Sequence, residues 1–280
     1  MSPANREALA RQIASLEAEG GSPNTTIATI PLQCPAIDAV LPGGGLRTGA
    51  VHELLGPSIS EGPVADQRGA DQRGDGAVMG FACGLLTRLM QAPEAAGPVV
   101  WCMNRHLEHR NGLLSGQVYA PGLHAFGIPM QRLLFVYCNN DQEALWATEE
   151  AVRSAAVGSV VAELHGLEAL AARRLQLAAQ ASATTVLAIR PGYAAAAGSF
   201  VETRWRVASL ASNVRSEGEE SAAQSVAAHW HVNLLRARRS SVTGSWSARW
   251  YDRRLLAKPY NADYTEADVS DRGSVVRLVV

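Results

Sequence analysis

Short apolar runs alternate with helix-spaced segments through the middle of the chain. Ala50–Leu55 (AVHELL) reads as a strand running into Gly56-Pro57, and after a long polar loop a helix is expected from about Val78 to Met90. Pro98–Met103 (PVVWCM) and Arg132–Cys138 (RLLFVYC) read as buried strands, the second followed by a strongly helical stretch, Gln142–Ala156. Ser159–Leu164 (SVVAEL) is a strand, Leu167–Ala181 a helix and Thr184–Ile189 (TTVLAI) a strand. Strands that are apolar throughout, with helices between them, predict an α/β fold whose mostly parallel sheet is covered on both faces.

After Pro191 the pattern changes. Arg204–Leu210, His229–Arg236 and Ser245–Tyr251 read as strands with no helix between them, so an antiparallel, β-rich extension is expected at the sheet edge. At the other end, Ala4–Glu19 has Leu9, Ile13 and Leu16 at helical spacing and stops at Gly20-Gly21. The polar stretch Ser22–Thr26 tethers this helix, which packs either on its own body or on a neighbouring subunit. The expected division is a helix and tether over 1–26, a core over 27–192 and a basic extension over 193–280. Two loops lack core-forming content and are expected to be mobile. One, 61–76, contains the tandem repeat ADQRG-ADQRG, and the other, 212–226, carries Glu217, Glu219 and Glu220.

Composition narrows the class. Of 280 residues, 47% are hydrophobic and 18% charged, which suits an ordered globular chain. No apolar run approaches the roughly 18–20 residues of a spanning helix, and the N-terminus lacks a signal peptide's apolar block, so a cytoplasmic protein with no membrane partner is expected. Cys34, Cys83, Cys102 and Cys138 stand far apart with no CxxC pair, which argues against a disulfide framework or zinc site and for buried small hydrophobes. With 25 Lys+Arg against 26 Asp+Glu the net charge is −1, so gross composition does not announce nucleic acid. One detail of that count matters more: Lys258 is the only lysine.

The strand ending at Gly56 feeds a loop and then a helix, where a phosphate-binding loop belongs. Such a loop needs glycines for tight turns, amides aimed at phosphate oxygens, a Lys for the β/γ-phosphates and a Ser/Thr for magnesium. Gly56, Pro57, Ser58, Ser60 and Gly62 keep its outline, but Glu61 and Pro63 flank Gly62 and no lysine is near. Glu61 would set a carboxylate where phosphates would sit. The site's architecture survives while its chemistry does not.

The run LPGGGLRTGAVHELLGPS (Leu41–Ser58) resembles the RecA recombinase core, in which a Gly-rich hairpin precedes the first core strand and a GP-starting phosphate loop. NNDQEALWATEEAVRSAAVGSVVAEL (Asn139–Leu164) resembles the segment leading through a helix to the Walker B strand, and TTVLAIR continues it. Carried residue by residue, the resemblance puts Glu163 at the Walker B acid and Arg105 at the catalytic glutamate. With the Walker A Lys and Ser/Thr also missing, it implies a P-loop fold without ATP hydrolysis, an enzyme activity or a required cofactor. Glu163 remains able to approach a metal, so weak nucleotide binding stays open. RWRVASL, HWHVNLLRARRSSVTGSW and the following RW (Arg204–Leu210, His229–Trp246, Arg249–Trp250) extend the resemblance to the ImuA type of RecA-like protein. That family implies an accessory role in SOS-induced translesion synthesis and mutagenesis after DNA damage. Its implied partners are the Y-family polymerase-like protein ImuB, a DnaE-type error-prone polymerase reached indirectly, and RecA. Its kinship with SulA supplies the alternative, an inhibitor of cell division that binds the tubulin-like division protein. SulA-type chains are shorter and lack this Arg/Trp tail.

The tail carries its own reading. From His229 to Lys258, Arg236, Arg238, Arg239, Arg249, Arg253, Arg254 and Lys258 face only Asp252, a local excess of six positive charges, with Trp230, Trp246, Trp250 and Tyr251 among them. Arginines interleaved with aromatics suit a surface that tracks a backbone and stacks bases of single-stranded DNA; an acidic protein partner is equally served. The plain alternative is a hairpin that buries Trp and exposes Arg as a solvated face. The glycines of LPGGGLRTG precede a strand instead of following one, which excludes a dinucleotide motif. His106, Glu108 and His109 read as an exposed polar turn and not a metal site. His229 and His231 project to one strand face as structural residues. QRLLF (Gln131–Phe135) fits a loose sliding-clamp pattern but coincides with a core strand. No GxSxG or HExxH occurs.

Overall fold

The structure is a computed structural model, and it describes residues 7–12, 15, 27–57, 75–95, 97–104, 119–154, 156–192, 200–210 and 228–260. A small hairpin-like sheet comes first. Strand β1 (Thr29–Ile30) pairs antiparallel with β2 (Leu46–Arg47), and the short helix α1 (Pro35–Asp38) lies between them. Gly45 is fixed by space: a Cβ there would stand 2.4 Å from the Ile30 carbonyl oxygen.

The body is one nine-stranded sheet. Its strands are β3 (Val51–Leu55), β4 (Val99–Asn104), β5 (Leu133–Cys138), β6 (Ser159–Glu163), β7 (Thr185–Arg190), β8 (Thr203–Ser209), β9 (Ala228–Ala237), β10 (Gly244–Tyr251) and β11 (Arg254–Pro259). Their order across the sheet is β11-β10-β9-β8-β3-β7-β6-β4-β5. From β8 through β3 to β5 the pairing is parallel, and from β8 outward to β11 it is antiparallel. The expected parallel sheet with an antiparallel edge is therefore present. All five residues of β3 and all six of β4 and β7 are buried, as the unbroken apolar runs required.

Helices cover both faces of the parallel part. On one side lies α2 (Asp75–Gln91), with the seven-residue α3 (Ala120–Phe126) beside it; α2 contacts β3, β7, β8 and β9. On the other, α4 (Asp141–Arg153) packs on β4, β5 and β6, and α5 (Ala169–Ser182) packs on β3 and on α4. Helix α4 begins where Asn140 caps it: its side chain accepts from the Glu143 amide at 2.9 Å, and the Glu143 carboxylate reaches back to the Asn139 amide at 2.9 Å. These layers give two cores. The α2 side holds Phe81, Trp205, Trp230, Trp246 and Trp250; the α4/α5 side holds Val51, Val160, Ala188, Leu175 and Leu9.

Several boundaries differ from the sequence reading. The α2 helix starts at Asp75, three residues before the expected Val78, and α4 stops at Arg153 instead of Ala156. Strand β11 and helix α3 were not anticipated. The repeat loop and the 212–226 loop lie outside the described residues, apart from Asp75 and Gly76, which open α2.

Candidate functional site

The parallel strands β3, β4, β6 and β7 all end at one edge, which is where ligands bind in open α/β sheets. Gly56 follows β3, and its amide donates to the Arg190 carbonyl at the end of β7 (3.0 Å). The two connecting backbones touch: a Cβ on Gly192 would stand 1.9 Å from the Pro57 carbonyl oxygen, so only glycine fits. Ser58, Ser60 and Gly62, with Glu61 and Pro63, lie outside the described residues, as do Arg105, His106, Glu108 and His109.

Glu163 closes β6 on the α2 side of the sheet. It is fully buried, and its Oε1 accepts the Trp101 indole N–H at 3.0 Å. On the opposite side, Glu53 is fully buried between two arginines, ion-paired to Arg190 from β7 and Arg204 from β8. Arg190 is itself buried and also donates to the His165 carbonyl at 3.3 Å. The Arg190 guanidinium, on the strand beside β3, is thus engaged by a carboxylate. Between β4, β6 and α4, Asp141 acts as a clasp. It accepts from Asn104 (2.6 Å) and from the amides of His165 (2.9 Å) and Gly166 (2.8 Å). Neither the Glu53 triad nor this clasp was singled out in the sequence. A charged residue inside an apolar run was the available signal for Glu53 and Arg190.

Lys258, the sole lysine, stands on β11, four strands from β3. At about 4.8 Å per strand that is about 19 Å, beyond the reach of a lysine side chain.

The basic tail divides in space. Arg236, Arg238 and Arg239 lie at and beyond the end of β9, near the start of β8, with Arg236 opposite Arg204. Arg249 and Arg254 lie at the other end of the antiparallel strands, beside the β10–β11 turn. The seven bases do not form one patch. Arg253 occupies that turn, where its stem meets Gly127 at the end of α3. The tryptophans require a correction. Trp246 and Trp250 are 3% and 7% exposed, and with Trp205 and Trp230 they pack around Phe81 and Phe126. Strand alternation sends these rings inward, so they are not offered to a base or partner. His229 and His231 point outward, held at 2.8 Å by Ser247 and Ser245.

Leu9 is corrected as well: at 3% exposure it belongs to the α4/α5-side core, so it is not available to a neighbouring subunit. Ile13 and Leu16 lie outside the described residues. Gln131–Phe135 enters β5 with Leu134 and Phe135 half-buried, a strand as the apolar run implied. All four cysteines are buried and free; burial pushes the Cys83 thiol up to about 12 and Cys138 to about 11. No cluster of metal-ligating side chains occurs among the described residues, and none of their helices is long and apolar enough to cross a membrane.

No protein-family model matches the chain. The chain is 33% identical over 183 residues to Protein ImuA of Caulobacter vibrioides, in strain NA1000 / CB15N and equally in strain ATCC 19089 / CIP 103742 / CB 15. The match takes in 62% of this chain and 66% of each relative, so it spans just under two thirds of their length. This similarity supports assigning the chain to the ImuA type.

Proposed function

We propose that this protein is a non-enzymatic accessory factor in damage-induced translesion DNA synthesis, a cytoplasmic scaffold joining a polymerase-like partner, RecA and single-stranded DNA. The similarity to Protein ImuA supports this reading. A RecA-like ancestry is supported by a parallel sheet whose first long strand, β3, leads through a loop to a covering helix, α2.

One observation carries the non-enzymatic part. The only lysine sits on an outer strand, four strands from β3, the strand that leads into the loop. Of the charged groups at that edge, Arg190 is ion-paired to Glu53, and Glu163 accepts from the Trp101 indole. Without a lysine in reach, that edge lacks the side chain that a phosphate loop ordinarily sets on the β/γ-phosphates. What remains is a folded platform.

The test is recovery of tagged full-length protein from DNA-damaged cells of the source organism, with and without nuclease. Recovery of the ImuB-like protein, the DnaE-type polymerase or RecA is the expected result. Loss of these on nuclease treatment would make DNA the bridge. Recovery of the tubulin-like division protein alone would overturn the proposal in favour of a division inhibitor.

A further inference from the structure

The outward face of β8–β11 is the face opposite the tryptophans. Cross-strand register fixes its rows. Tyr251 stands opposite Arg254, Arg249 between His229 and Leu256, and Ser247 between His231 and Lys258. Arg249, Tyr251, Arg254 and Lys258 are exposed, Tyr251 at 49%. No carboxylate occupies an outward position of these four strands; Asp252 is in the turn, and Glu53, on the neighbouring β3, is buried.

We propose that single-stranded nucleic acid lies across this face beside the β10–β11 turn, with Arg249, Arg254 and Lys258 on phosphates and Tyr251 as the stacking ring. This rests on the reading that the protein works at DNA. Two arguments favour a strand of nucleic acid over an acidic protein. First, outward side chains on one strand repeat at about 6.7 Å, and adjacent strands stand about 4.8 Å apart, so the cations form a shallow grid instead of a pocket for one carboxylate. Second, an exposed ring set between two arginines combines a cationic track with a stacking platform. The chain's net charge of −1 means that this attraction is local to the face, with no general attraction from the whole molecule. The cations at the other end, Arg236, Arg238 and Arg239, are not part of this site.

The experiment is fluorescence anisotropy of a fluorescein-labelled oligo-dT with the full chain, titrated at several salt concentrations. A double Arg249→Ser/Arg254→Ser variant is expected to weaken binding at least tenfold at low salt. It should also flatten the plot of log K against log salt by about 1.4, for two phosphate contacts on a single strand. Tyr251→Ser is expected to weaken binding about tenfold with the salt slope unchanged. Arg236→Ser/Arg239→Ser should stay within about twofold of the parent. All of these residues are on the surface, and circular dichroism with thermal melting confirms that each variant folds. Absence of oligonucleotide binding, equal losses from the two double variants, or displacement by polyglutamate at equal charge concentration would each overturn the proposal. Any of these alongside nuclease-resistant recovery of a polymerase partner would leave the accessory-factor reading standing without this site.

Discussion

Among the described residues His52 is the one histidine locked inside the sheet, and its hydrogen bonds determine its protonation. Its Nε2 lies 2.8 Å from the Arg47 carbonyl oxygen, which can only accept, so Nε2 carries the proton. Nδ1 then accepts from the Thr203 hydroxyl at 2.7 Å, and that oxygen in turn accepts the Trp205 indole N–H at 2.7 Å. A second proton on the ring would face a hydroxyl already donating to it. Burial pulls the His52 pKa down to about 4 from an ordinary 6.5. Because the folded value lies below the unfolded one, the unfolded chain binds more protons between these limits. Stability is therefore full above about pH 6.5 and falls as pH drops toward 4, by a few kcal/mol from this one group. Denaturant unfolding of the parent should show that decline. His52→Gln, which cannot titrate, should be less stable at pH 7 and flatter below it; an unchanged pH slope would refute the assignment. Nothing in the sequence marks this role, since a lone histidine in an apolar strand looks the same whether charged or neutral.

Elements fit through complementary sizes. On α2, Gly80 and Gly84 are four residues apart and share a face, and the Trp230 and Trp250 rings fill the space their missing side chains leave. A Cβ on Gly80 would meet Trp230 at 2.8 Å, and one on Gly84 would meet Trp250 at 3.1 Å. Helix propensity alone predicts that Gly→Ala stabilises by about 1 kcal/mol. Here Gly80→Ala is expected to destabilise by about 1–3 kcal/mol, because an indole wedged among Phe81 and Phe126 cannot step aside. Gly76→Ala, at the start of the same helix with nothing within 4 Å, should stabilise instead. Opposite signs in thermal melts of the two variants check the argument. The same pairing explains what was legible in the sequence. Strands β3, β4 and β7 announce themselves as uninterrupted apolar runs. The alternating residues of β9 and β10 gave the strands correctly, while the side to which the tryptophans turn depends on a helix some 150 residues earlier in the chain. Strand β11 was missed because RLLAKP offers only Leu255 and Ala257 as an inward pair and ends in proline. Helix α3 was missed because its seven residues include a Pro-Gly pair that reads as a turn.

At the scale of the whole molecule, the ends of the parallel strands gather at one edge of the sheet, and the antiparallel strands hold Lys258 and much of the basic tail. The residues after Gly56 read as a phosphate loop without its chemistry, and the structure adds that the sole lysine lies four strands from β3. It also shows why a basic run of thirty residues is not a basic patch: antiparallel strands carry neighbours in sequence to opposite ends. A thermal shift with millimolar ATP and magnesium should therefore be nil. A shift corresponding to a dissociation constant well below that concentration would show a working nucleotide site and overturn this expectation. The solitary lysine also gives the chain an unusual chemical simplicity. Apart from the α-amino group, an amine-reactive reagent has one side chain to modify, and Lys258 is exposed on the outermost antiparallel strand. A cross-link through the Lys258 side chain therefore carries its own address: the adduct names whatever lies against β11.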